Sequence, residues 1–170
     1  NLLEQYQLLD KIFPGISLPK DKQELECLQL SLENTDKRVK NNQHVTLSFI
    51  YAAILWHTLK ARISESSQQG YPSLYKVDEI SESLIKSQLT SVNLPKFIST
   101  KIKNTWKLQY RMEHPKCKPE KIVLHKEFRA AYDFLTFRLQ SGELVKLETF
   151  EQLTSLYKAG STSTRNEKSS

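Results

Sequence analysis

Glycine is scarce, four in 170 residues, and the β-branched residues are scattered singly, which argues against a protein built on tight hairpins and alternating strands. Long apolar runs are missing as well. The longest, Phe49 to Trp56, is eight residues, far short of the ~20 that span a bilayer, so no membrane span is expected. No charged leader runs into an apolar stretch, and no signal peptide is read. The first residue is Asn1 and not Met, from which a segment of a longer chain is expected. Cysteine is limited to Cys27 and Cys117, without a CxxC pair, and His114 to Cys117 is a two-ligand spacing with no second pair. Two reduced structural thiols are expected, as suits a reducing cytoplasm, and no metal site.

Signatures of catalysis are also lacking. There is no Gly-rich phosphate loop, and His44, His57, His114 and His125 stand in no HExxH or triad-like setting. Two-metal nucleotidyl transfer needs carboxylates that converge on the ions, commonly an Asp-x-Asp pair beside a Gly-Ser or Gly-Gly turn. Here Gly160-Ser161 lies in a polar tail, and Asp78-Glu79 are adjacent residues that leave a helix at different angles. No catalytic residue and no bound cofactor is therefore assigned to this chain.

Seven Phe, seven Tyr and two Trp are present, enough large side chains for a real core although the apolar share is 38%. Helical spacing predicts a first helix over 2–13, stopped by Pro14-Gly15, and a second capped by Asp21 that runs out near Asn34-Thr35-Asp36. A third, from Thr46 to Ile63, is apolar enough to be central, with Ala52 and Ala53 allowing close packing. Further helices follow from Val77 to Leu89, from Pro95 to Glu113 and from His125 or Lys126 to Ser141-Gly142, the last apolar on both sides and so sandwiched. A final helix is placed over Glu143 to Tyr157. The expected fold is all-α, an irregular array of about seven helices. Residues 1–158 form one helical body domain, and the Ser/Thr-rich residues 159–170 a disordered tail.

Charge is uneven. Ser91 to Ala130 holds ten Lys/Arg against Glu113, Glu120 and Glu127, a net +7, so the rest of the +6 chain carries −1. On a helical wheel of residues 94–113, Lys96, Lys103, Lys107 and Arg111 fall within about 80° of one another. Leu94, Ile98, Ile102, Trp106 and Met112 take the opposite side, so the helix is expected to hold a basic ridge in solvent, flanked by Tyr110 as a ring on which a base can stack. Such a ridge can track the phosphates of single-stranded nucleic acid, with a log-log salt slope of about −0.7 per contact. The plain alternative is a solvated lysine face. Arg129 and Asp133, four apart, read as an intrahelical ion pair, and Arg138 as a cation favoured at a helix C-terminus.

Four blocks carry a family resemblance. Lys126 to Glu143, KEFRAAYDFLTFRLQSGE, closely resembles a segment near the end of bacterial poly(A) polymerases, with Glu127 where proline is usual. Thr105 to Met112, TWKLQYRM, is similar to the family's Trp-x-Leu-Gln-x-Arg-Met. Gln5-Tyr6-Gln7-Leu8 with Phe13-Pro14, and Asn34-Thr35-Asp36 with Arg38, match in order and approximate spacing. The likeness covers nearly all of residues 3–153.

The resemblance implies a class II nucleotidyltransferase, cytoplasmic, whose N-terminal head uses ATP and Mg to add AMP to single-stranded RNA 3′ ends without a template. This chain looks like its helical RNA-binding body. Lys96, Lys103, Lys107, Tyr110, Arg111 and Arg129 are the candidate RNA contacts, taken from charge placement and not from a motif. Family members often end in a long Arg-rich tail, whereas this chain ends in AGSTSTRNEKSS; Lys37 and Lys40 beside Arg38 are expected to compensate in part. The alternatives are the body of a tRNA CCA-adding relative and a freestanding helical module that binds RNA or protein.

Overall fold

The computed structural model describes residues 11, 13, 15–17, 19–66, 70–89 and 93–166, the last six by backbone only. Seven helices are present among them: α1 Lys22–Lys40, α2 Leu47–Ser66, α3 Leu74–Leu89, α4 Lys96–Glu113, α5 Pro119–Ile122, α6 Phe128–Gln140 and α7 Leu147–Asn166. No strand occurs among the described residues, and no described helix is long and apolar enough to cross a membrane. The all-α expectation is met. The number of helices agrees for a different reason, since the expected helix over 2–13 lies outside the described residues except at its end, and α5 was not foreseen.

α2 is the centre, as its composition predicted. Leu55, Trp56 and Leu59 are fully buried, and α1, α3 and α4 pack around it. The small residues act as expected: Trp106 of α4 lies against α2 closely enough for its Nε1–H to donate to the Ala52 carbonyl at 3.0 Å. A second, smaller core joins Leu108 and Met112 of α4, Ile122 of α5, Phe128, Ala131 and Leu135 of α6, and Leu153 of α7. α6 is sandwiched between the two cores. Its Phe134 faces the first, edge-on to Trp56 at 5.5 Å and to Phe49 at 6.3 Å, while Phe128, Ala131 and Leu135 face the second.

Three boundaries differ from the sequence reading. α1 does not stop at Asn34-Thr35-Asp36 but continues to Lys40, because its polar residues bond within the helix: Ser31 Oγ donates to the Cys27 carbonyl at 2.8 Å and Thr35 Oγ1 to the Ser31 carbonyl at 3.0 Å. Residues 125–127 form turns, and α6 begins at Phe128. α7 begins at Leu147, since Glu143 is used elsewhere, and runs to Asn166 with no proline to end it at Tyr157. Residues 167–170 of the expected tail lie outside the described ones. The turn after α6 needs Gly142, whose φ of 84° is the left-handed conformation that glycine adopts without penalty.

The two cysteines are free thiols, and burial pushes Cys27 up to about 12. His57 is also buried, with neither ring nitrogen hydrogen-bonded and the nearest Glu24 oxygen 3.7 Å from Nδ1. Burial holds its pKa below the ordinary 6.5, against the opposing pull of Glu24. The folded chain thus refuses a proton that the unfolded chain accepts. Stability from this group is complete well above pH 6.5, the unfolded imidazole's ordinary value, and declines as pH falls through it, so it is greater at about pH 7.5 than at about pH 5.5. Urea melts at both pH values should show a larger loss for the parent chain than for His57→Gln.

Candidate nucleic-acid interface

The basic stripe of α4 exists, but a neighbouring helix takes two of its four cations. Lys103 Nζ contacts the Glu82 carboxylate and Lys107 Nζ lies 2.8 Å from Asp78 Oδ1, both acids belonging to α3. The hydrogen bond from Lys103 holds Glu82 below the usual carboxylate range. Lys96 is exposed and Arg111 half-buried, and neither has an ion pair among the described residues. The ridge is therefore interrupted at its middle, which corrects the expectation of a continuous solvent-facing track.

Tyr110 is also drawn inward. Its ring packs against Trp56 at 5.8 Å and Tyr71 at 6.2 Å, and its backbone carbonyl accepts from the Tyr71 hydroxyl at 2.6 Å. Burial raises its phenol above the usual value. The ring is part of the aromatic packing and not an open platform for a base.

Arg129 lies elsewhere, at the mouth of a cleft of about 300 Å³ bounded by α1, the start of α2, α4 and the start of α6. The cleft gathers Arg38, Lys101, Lys126 and Arg129 against the carboxylates of Glu127 and Asp133, a net +2. Arg38 reaches it from the last turn of α1, donating from Nε to the His44 carbonyl at 3.2 Å. The expected Arg129–Asp133 pair is replaced by a contact between helices: Asp133 Oδ2 stands 4.0 Å from Arg38 Nη1, and no ion pair within 4 Å joins it to Arg129. Burial raises the Asp133 carboxyl, with Arg129 and Arg38 pulling the other way. Lys101, Lys126 and Arg129 have no ion pair among the described residues.

Glu127, the departure from proline, lines this cleft with 7% of its surface exposed. His125 Nδ1 accepts the Glu127 N–H at 3.2 Å, so the same nitrogen, facing Glu127 Oε2 at 3.2 Å, has no proton to offer it. Oε2 is left without a donor.

Sequence reasoning selected Arg129 but missed Lys101 and Lys126 and saw Arg38 only within a resemblance block. Lys101 is off the wheel's basic stripe, about 140° from Lys96, and nothing local marks it. The signal that could have found the cleft was the pair of blocks themselves: Asn34 to Arg38 and Lys126 to Asp133, about 90 residues apart, form two of its walls.

Arg138 does stand in the last turn of α6, but its side chain is interior. Only 3% exposed, it donates from Nε and Nη2 to the two Glu143 oxygens at 3.0 and 2.8 Å and from Nη1 to Gln109 Oε1 at 3.0 Å, and it contacts Glu113. Its guanidinium lies 4.8 Å from the Trp56 ring centre. Burial pushes Glu143 up, but the bonds from Arg138, with help from Lys60, outweigh it and hold the carboxyl low. This is a structural hub, with no open face for a ligand.

Residues 69–167 match the sequence family described as Polymerase A arginine-rich C-terminus, more than half of the chain. Among curated relatives, Poly(A) polymerase I of Salmonella typhi is 28% identical over 156 residues, 88% of this chain and 34% of the relative. Poly(A) polymerase I of Escherichia coli is 28% identical over 153 residues, covering 86% and 33%, and that of Haemophilus influenzae 23% over 154 residues, covering 86% and 34%. The chain thus spans about a third of the length of the curated relatives it matches.

Proposed function

Because this chain belongs to the poly(A) polymerase family, by the region described as its arginine-rich C-terminus, we propose that it is the RNA-holding body of a template-independent RNA-adenylating enzyme. AMP transfer from ATP to an RNA 3′ end would be performed by a nucleotidyltransferase head outside these 170 residues, in the cytoplasm. The divalent ions that such chemistry needs are assigned in this reading to that head. What this body supplies is retention of single-stranded RNA by its phosphates.

One observation carries the reading: of the ten cations between Lys96 and Arg129 α3 neutralises only Lys103 and Lys107, and Lys101, Lys126 and Arg129, with no ion pair among the described residues, meet Arg38 in one cleft. Lys103 and Lys107 can join them where RNA phosphate displaces Asp78 or Glu82, whose pairs are only partly buried.

Binding of the chain to oligo(A) across a salt series is expected to give a log-log slope of about −3, which is about four phosphate contacts. The combined Lys96, Lys103, Lys107 and Arg111 to Gln variant should flatten it. A folded chain with no measurable oligo(A) binding at about 50 mM salt would make this region scaffold only. A version carrying the head should strongly prefer ATP over CTP, which separates it from a CCA-adding relative.

A further inference from the structure

The ridge and the cleft offer cations in different ways. On the ridge they lie along one helix, and two are paired. In the cleft they converge from separate elements, Arg38 from α1, Lys101 from α4 and Arg129 from α6, with an apolar wall of Val45, Phe49 and Ala130 beside them. Concave, low-dielectric walls focus a positive field more strongly than a flat face does. A volume of about 300 Å³ lies at the small end of the range for ligand sites, suited to one nucleotide and too small for a duplex.

We propose that the cleft seats a single unstacked nucleotide of the bound RNA, its phosphodiester held by Arg38, Lys101 and Arg129 and its base laid on Val45, Phe49 and Ala130. The proposal rests on the RNA-holding reading above and names the place where that RNA is gripped. Arg38 is held on the cleft by the His44 carbonyl and by Asp133, and Arg129, exposed and without an ion pair among the described residues, can turn toward an incoming phosphate. An unstacked base can use an apolar wall only when it is single-stranded, so a base-paired RNA is excluded from this seat. Glu127 opposes the grip, because its buried carboxylate subtracts from the field that the phosphate meets.

The opposite signs of the expected changes provide the test. Binding of a labelled oligo(A) of about ten nucleotides would be followed by anisotropy at roughly 0.1 M salt. The 170-residue chain would be compared with its Lys101→Gln/Arg129→Gln and Glu127→Gln variants, each checked for helix content by circular dichroism. The double variant is expected to bind about tenfold more weakly, and Glu127→Gln about threefold more tightly. 5′-AMP should displace the oligomer at lower concentration than inorganic phosphate or adenosine does, and a fully paired RNA hairpin should compete poorly.

Unchanged oligo(A) binding by the folded double variant, with no competition by 5′-AMP, overturns the seat and leaves the RNA-holding reading standing. A folded chain that binds neither probe overturns both. Inorganic phosphate as potent as 5′-AMP removes the base from the proposal, and an unaltered or weaker Glu127→Gln removes its opposing role.

Discussion

Arg138→Ala is expected to destabilise the chain by about 3–5 kcal/mol, because it leaves buried carboxylates without their counter-charge. The arginine joins α6 to the Glu143 turn by two hydrogen bonds, to Gln109 of α4 by a third, and to Glu113 by charge. Gln109 in turn donates to the Ala131 carbonyl at 2.7 Å, so the cluster ties α4 to α6 and helps to hold both cores in register. For a chain of this size such a loss lowers the midpoint of thermal unfolding by about 10 °C or more.

Arg138→Lys should recover only part of the loss, since an ammonium cannot reproduce the bidentate fork. The double variant Arg138→Met/Glu143→Gln should be more stable than Arg138→Ala, because only Glu113, and no longer Glu143 as well, is left without its counter-charge. Urea titration of the four proteins checks this. A loss below about 1 kcal/mol for Arg138→Ala would reduce the cluster to the worth of a surface pair.

Trp106→Ala is expected to cost a similar amount, about 3–5 kcal/mol, by a different route. The indole is fully buried in the first core, between α2 and α4, and its removal leaves a cavity and takes from the Ala52 carbonyl the donor it has beyond its own helix. Trp106→Phe separates the two effects: it keeps most of the volume and loses the hydrogen bond, for about 1–2 kcal/mol. Equilibrium unfolding of both variants gives the partition. Equal losses for Phe and Ala would mean that the hydrogen bond, and not the packing, dominates the site.

Periodicity made most of the helices legible, and it was reliable where apolar residues were dense. The central position of α2 followed from Phe49 through Trp56, and the sandwiching of α6 from Phe134 and Phe137 lying opposite Ala131 and Leu135. It failed at the end of α1, where Ser31 and Thr35 hydrogen-bond within the helix in place of ending it. The candidate site was only half legible. Arg129 and the charge excess were visible in one dimension. The fates of Lys103, Lys107 and Tyr110 depended on α3 and on Tyr71, residues that a wheel of α4 cannot place.

The all-α class, the family and the concentration of positive charge between residues 91 and 130 are written along the chain. Each of these depends on composition, on period or on order along the chain. Which cations are neutralised, the interior place of Arg138 and the meeting of Arg38, Lys101 and Arg129 in one cleft arise from the packing of the helices. An ion pair or a cleft is a property of the distance between side chains, and helix packing sets that distance through contacts between segments far apart in the chain.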